Sequence, residues 1–235
     1  MAKPNIWLSV SDLMTGLMVI FLFVAISYIR RVQKNQSVLT EYVETKQNMH
    51  AKLVKEFAED TLEWQMVIGK DLTMKFKEPT VLFATGSHQL TPRFQDILDE
   101  FLPRYFNILL TDTLAKDIRE IRIEGHTDDV PIPKVHSDPF IANTILSQQR
   151  ALSVIQYFRS MAAFNDFTPE QQRQLEFWLT ANGLSYGKAL DEDGNYIQKT
   201  GKPIDRALSR RVEFRIVTTG DEILEKFVEK NENNK

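Results

Sequence analysis

Ile6 to Ile29 reads IWLSVSDLMTGLMVIFLFVAISYI, twenty-four positions with one charged side chain, Asp12. A helix needs about 20 apolar residues to cross about 30 Å of hydrocarbon, so this run predicts a single membrane-spanning helix over 6–29, with residues 1–5 as a short tail. On such a helix Asp12 shares a face with Ser9, Thr15, Gly16 and Val19, at spacings of three, four and seven. Small residues on that face admit a second helix at close range, while Leu17, Ile20, Phe21, Leu22 and Val24 suit lipid. Between Arg30 and Gly69 there is no proline and no earlier glycine, and Leu39, Val43, Leu53, Phe57, Trp64 and Ile68 recur at mostly helical intervals among Lys, Glu and Gln. This predicts a helical stalk over 30–69, either a solvated spacer or a short coiled coil pairing with itself.

The pattern then changes. Asp71 to Lys77 (DLTMKFK) alternates polar and apolar as a half-buried strand does, Pro79 interrupts, and VLFATGS gives a short strand and loop. Thr91-Pro92 opens a helix to about Leu109, with threonine as N-cap and proline in the first turn. Ile118 to Glu124 (IREIRIE) alternates again, and a long loop from His126 to Phe140 carries three prolines. Asn143 to Met161 reads as an amphipathic helix with Ile145, Leu146, Leu152, Ile155 and Phe158 on or near one face. Thr168-Pro169-Glu170 caps a further helix, Leu179 to Ala181 is extended, and Arg211 to Val217 (RVEFRIV) is a last strand. Residues 70–219 thus predict one α+β domain with helices packed on a mixed sheet, followed by a charged tail over 220–235. The segment Asp191 to Asn195 (DEDGN) lacks the glycine and glutamate positions of a calcium loop and reads as a hairpin turn.

A carboxylate in hydrocarbon costs about 2.5–3.5 kcal/mol on insertion scales, so a chain retains one where it faces protein or water. Asp12 can therefore serve as a proton carrier or ion ligand, with Thr15 supplying a hydroxyl beside it. The alternative is an aspartate that hydrogen-bonds a partner helix. In either case one helix encloses no aqueous path, and further membrane segments must come from a second protein or from more copies of this one. A net charge of −3 supplies no basic stripe for phosphates and argues against nucleic acid as a partner. The absence of cysteine excludes disulfides, thiolate catalysis and a lipoprotein anchor.

The apolar run is too long for the ~7–15-residue core of a signal peptide, and it reads as an uncleaved anchor. Orientation is contested within the sequence. Arg30, Arg31 and Lys34 follow the span and only Lys3 precedes it, which by the positive-inside rule would leave the bulk of the chain in the cytoplasm.

Three blocks of the soluble part resemble the OmpA-like peptidoglycan-binding domain: Ile123-Glu124-Gly125-His126-Thr127-Asp128, then Asn143-x-x-Leu146-Ser147-x-x-Arg150-Ala151, then Arg210-Arg211-Val212-Glu213. They occur in the family's order over about 140 residues. One departure is the 15-residue spacing between Asp128 and Asn143, longer than in the shorter members and similar to MotB-type flagellar stator proteins. Trp7, Asp12, Leu13, Met14, Thr15 and Met18 resemble the membrane helix of the same stator B-subunits. The SDLMTGLM wording and the short N-terminal tail resemble the B-subunits of Zorya anti-phage defence systems.

The resemblance implies a peptidoglycan-anchored inner-membrane subunit of an ion-driven rotary complex, with the N-terminus cytoplasmic and the C-terminal domain periplasmic, against the charge count at Arg30 and Arg31. It implies a homodimer within a pentameric MotA/ZorA-like partner, five to two, transporting H+ or Na+ and holding no cofactor. It further implies that Asp128 takes the ammonium and Arg150 the carboxylate of a diaminopimelate stem peptide. Thr127, Asn143 and Leu146 would shape the pocket, and Arg210 and Arg211 would either assist or pin the final strand. Such charge-assisted bonds are the stronger kind. His126 beside Asp128 has no nucleophile placed with it, so no enzyme is expected. The rival readings are a flagellar stator subunit, and a passive envelope tether that leaves Asp12 unexplained.

Overall fold

The computed structural model describes residues 6–77, 82–84, 86–132 and 135–232, with side chains placed for all of these except 6–9, 35, 38 and 226–232. The tail at 1–5, Pro79, Pro133 and the side chains of Trp7 and Ser9 lie outside the described residues. The chain forms two units, residues 1–44 and 45–235.

Helix α1 (Ile6–Phe57) is unbroken, as the lack of glycine and proline after Gly16 allows. In the first unit its apolar side chains from Leu13 to Ile29 are exposed, and the helix is long and apolar enough to cross a membrane by length and composition. Leu39 and Val43 are exposed as well.

The last turns of α1 depart from the stalk expected over 30–69. Met49, Leu53 and Phe57, four residues apart, are fully buried in the core of the second unit. The Phe57 ring lies 5.2 Å from Phe101 and 6.1 Å from Trp64. The apolar spacing in this stretch is therefore that of a core helix, and burying each such side chain contributes about 1.5–3 kcal/mol. After Phe57 the chain passes through α2 (Asp60–Glu63) into β1 (Met66–Ile68), an unexpected strand that pairs antiparallel with β2 (Thr73–Phe76). The turn between them closes with Gly69 N donating to Thr73 O at 2.8 Å and Leu72 N donating to Gly69 O at 3.0 Å.

Helix α3 (Pro92–Leu109) starts as expected, with Thr91 Oγ1 accepting from Phe94 N at 3.2 Å and Pro92 in the first turn. Its buried face runs from Phe94 through Phe101 to Leu109 and covers the sheet. The chain continues through α4 (Asp112–Ala115), β3 (Ile118–His126), α5 (Pro139–Ser160), α6 (Pro169–Trp178), β4 (Leu179–Gly183), α7 (Ile197–Thr200), α8 (Arg206–Ser209), β5 (Arg211–Thr218) and α9 (Thr219–Glu232). Strand order is β1-β2-β5-β3-β4, with β3 and β4 parallel and the other pairs antiparallel. This is the α+β arrangement of helices on a mixed sheet.

Two local differences bear on function. Helix α5 begins at Pro139 rather than Asn143, because Asp138 Oδ1 accepts from Phe140 N and Ile141 N, a cap the reading from Asn143 overlooked. Its inward face is Ala142, Asn143, Leu146, Ser147, Arg150, Ala151, Val154 and Phe158, while Ile145 and Leu152 are exposed. Leu146 and Phe158 are buried and Ile155 packs against the core as expected, while the contact with the strands is made through small residues and leaves Ile145 and Leu152 outside. The DEDGN segment is a hairpin turn: Leu190 bridges Tyr196, and Asp191 N donates to Asn195 O at 2.9 Å.

Candidate functional site

Strand β3 delivers the first part of the site. At Gly125 a Cβ would collide with the Ser147 carbonyl, and at Gly183 one would collide with the backbone of Thr144 and Gln148. The two glycines let α5 lie directly on β3 and β4, and so set Thr127 and Asp128 beside the inward face of that helix. Beyond the strand, Thr127 N donates to Ser185 O at 3.0 Å. Asp128 Oδ1 accepts from Val130 N at 3.1 Å, turning the chain into the following loop.

Asn143, Leu146 and Arg150 come from successive turns of α5, at the three- and four-residue spacings that share a helix face. Asn143 Nδ2 donates to both Val130 O and Pro139 O at 3.0 Å, fastening the loop to the helix. Arg150 Nε donates to Ser87 O at 2.9 Å, and its guanidinium stands 5.0 Å from the centre of the Phe83 ring. Burial pulls its pKa down to about 10, against the attraction of Asp128, so it stays charged at neutral pH.

Arg210 and Arg211 divide the roles that the sequence left open. Arg210 Nη1 donates to Asp128 Oδ2 at 2.6 Å. Arg211 is buried, donating from Nε to Glu213 Oε1 at 2.6 Å and from Nη1 to Ser209 O at 3.2 Å. Arg210, the residue that ends helix α8, reaches the site, and Arg211, the first residue of β5, pins the strand.

The sequence-selected residues Thr127, Asp128, Asn143, Leu146, Arg150 and Arg210 all line one pocket of about 340 Å³. Phe83, Gly86, Val130, Pro131 and Ile132 complete it. These five were missed, because a short apolar piece followed by a loop and a proline-rich loop carry no local sign that they fold over a distant helix. The result is an apolar wall facing one carboxylate and two guanidinium groups. Thr127 Oγ1 is buried with no hydrogen-bond partner among the described residues. Such a pocket can hold a small ligand that carries both charges on a short aliphatic chain.

Glu124, His126 and Glu213 form a second, buried cluster whose ligand atoms lie within 4.8 Å of one another. The two carboxylates already meet Arg211 at 2.6 Å, Arg215 at 3.2 and 3.4 Å, and Lys75 at 3.6 Å. With Asp71 also on Arg215 at 3.4 Å, three cations balance three carboxylates and leave no negative excess for a metal ion, and we read this cluster as an ion network of β2, β3 and β5. His126 is 1% exposed and does not line the pocket.

In the first unit Asp12 and Thr15 are exposed on α1, three residues apart. Thr15 Oγ1 donates to Ser11 O at 2.8 Å, bonding its own helix rather than Asp12.

Residues 82–182 match the OmpA family. Over 229 residues the chain is 36% identical to the Zorya protein ZorB of Escherichia coli, covering 95% of this chain and 92% of that protein. Among solved structures it is similar to the cell wall anchor of the T6SS from Pseudomonas aeruginosa, with TM-score 0.44, 22% identity, and coverage of 71% of this chain and 96% of that one. It is also similar to the periplasmic domain of Helicobacter pylori MotB, with TM-score 0.40, 18% identity, and coverage of 69% and 89%. With more than a third of positions shared along nearly the whole of both chains, this protein belongs to the ZorB family.

Proposed function

We propose that this chain anchors an ion-driven rotary complex of the inner membrane to peptidoglycan, in the service of anti-phage defence. The observation that carries the reading is the pocket, where Asp128, Arg150 and Arg210 stand against an apolar wall. A diaminopimelate stem presents an ammonium and a carboxylate on one stereocentre, joined to the rest of the peptide by methylenes. In the proposal Asp128 accepts from the ammonium, the Arg150 fork donates to the carboxylate, and Phe83, Leu146 and Ile132 take the methylenes. Family membership supports the rest. α1 spans the membrane with residues 1–5 in the cytoplasm and the second unit in the periplasm. Asp12, beside Thr15, carries H+ or Na+ between this chain and a pentameric ZorA-like partner that surrounds two copies of it. The anchor is what the torque pushes against. No bond is made or broken in this role, and the protein acts by binding and ion transfer.

Sedimentation of the purified protein with diaminopimelate-type murein tests the pocket. Wild type is expected in the pellet and Arg150→Ala or Asp128→Ala in the supernatant, since removing one partner leaves the other charge unpaired in the site. Free diaminopimelate should compete. Undiminished pelleting of both variants would reject this pocket as the murein site.

A further inference from the structure

The three charged groups of the pocket do not balance. Asp128 carries one negative charge, and Arg150 and Arg210 carry two positive ones. The neighbouring pair, Arg206 Nε to Asp129 Oδ1 at 2.7 Å, is exposed, neutral as a pair and outside the pocket lining. It clasps the loop after β3 to helix α8, four residues before Arg210, and so fixes Asp128 within reach of that arginine.

The two arginines differ in freedom. Arg150 is held at Nε by Ser87 O and stacked on Phe83, and it lines the pocket. Arg210 follows α8 directly, and its side chain is 34% exposed against 10% for Asp128. Asp128 is thus occupied by a cation before any ligand arrives. An entering ammonium must share that carboxylate, and Arg210 then lacks a full partner in a half-buried place, where an uncompensated charge is costly.

Resting on the pocket being the murein site, we propose that Arg210 makes it selective for the charge of the stem peptide. Arg210 yields Asp128 to the ligand ammonium and takes a second ligand carboxylate. The preferred ligand therefore carries one ammonium and two carboxylates. That is a diaminopimelate at the end of its stem, with its α-carboxyl free. A stem in which that carboxyl is an amide binds less well. The apolar wall of Phe83, Leu146, Val130 and Ile132 accommodates the methylenes that separate the two stereocentres.

The test is calorimetric titration of the full-length protein in detergent with three synthetic tripeptides. One ends in free meso-diaminopimelate, one has the diaminopimelate α-carboxyl as a carboxamide, and one ends in lysine. Wild type should bind the free acid about tenfold more tightly than the carboxamide, the scale of one added charge pairing. In Arg210→Met this preference should shrink to about twofold or less, while Arg210→Lys, which keeps the charge, retains most of it. The lysine peptide should remain the weakest throughout, since it offers Arg150 no side-chain carboxylate. Equal binding of acid and carboxamide by wild type, or a preference unchanged in Arg210→Met, overturns the proposal and leaves the murein pocket standing. Failure to bind either diaminopimelate peptide overturns both.

Discussion

Asn143 donates to the Val130 carbonyl at 3.0 Å, tying the first turns of helix α5 to the loop that begins at Asp128. A second bond from the same amide to Pro139 O closes the start of the helix. This side chain fastens Val130 to the helix, and Val130, Pro131 and Ile132 form pocket wall. Asn143→Ala should therefore weaken murein sedimentation while leaving the protein folded. It removes two hydrogen bonds at about 0.5–1.5 kcal/mol each. A thermal melt together with the pelleting assay checks this, and wild-type murein binding by the variant would show that the loop needs no such fastening.

Gly125 supports a prediction about packing. A methyl group there has nowhere to go, because the Ser147 backbone lies against the strand. Gly125→Ala should push α5 off β3, costing about 1–3 kcal/mol and lowering murein affinity at the same time. Gly194→Ala, where a Cβ meets nothing but φ is +77°, should cost stability through backbone strain and leave murein affinity unchanged. Melting temperatures and pelleting of the two variants, compared side by side, separate the two mechanisms.

Phe57 tests where the globular unit starts. Its ring packs between Trp64 and Phe101, so Phe57→Ala should cost about 3–5 kcal/mol, as large-to-small changes in aromatic cores do. Leu39→Ala, on an exposed part of the same helix, should change stability by less than about 0.5 kcal/mol in the detergent-solubilised protein. If denaturant midpoints for both variants match wild type, the end of α1 contributes nothing to the core.

Acid should unfold the second unit through its buried ion network. Burial opposes the charge of Glu213, but Arg211 and Lys75 outweigh it and hold the carboxyl down at about 2. Its contribution is complete above the ordinary glutamate value of 4.5 and is lost as pH falls from there towards 2, on the order of 3 kcal/mol in all. His126 acts in the same direction. Burial keeps its pKa below the ordinary value, so the unfolded chain takes up a proton below about pH 6.5 that the folded chain refuses. Stability followed by denaturant titration should fall steadily below pH 6.5, and Glu213→Gln should flatten the part of that slope below pH 4.5.

Asp12 and Arg150 should fail for separate reasons. Asp12→Asn keeps size and hydrogen bonding but cannot alternate between neutral and charged forms. Membrane insertion, partner binding and murein sedimentation should survive in that variant while phage protection is lost. Arg150→Ala should lose murein and protection yet co-purify with its partner in the wild-type ratio. Protection at wild-type level by Asp12→Asn would favour a passive tether.

Local chemistry alone carried much of this protein. An apolar run interrupted by Asp12, the Thr91-Pro92 and Thr168-Pro169 helix starts and the alternation of β2, β3 and β5 are legible in order along the chain, while the three blocks around Asp128, Arg150 and Arg210 were read through their resemblance to the OmpA-like domain. The former are legible because caps and periodicity act over a few residues. The membership of Met49, Leu53 and Phe57 in the core was not, since the same spacing serves a stalk and a core helix until something packs on it. Nor was the inward face of α5, where glycines on two strands bring backbone so close that small and polar residues are buried and Ile145 is left outside. The split between Arg210 and Arg211 depended on where helix α8 ends and β5 begins. Likewise, Phe83 and Ser87 meet Arg150 across more than sixty residues of chain, a contact no local pattern encodes. Short-range preferences write the elements, but which face is buried and which charges meet are settled by long-range packing, where each residue's partner lies far away in sequence.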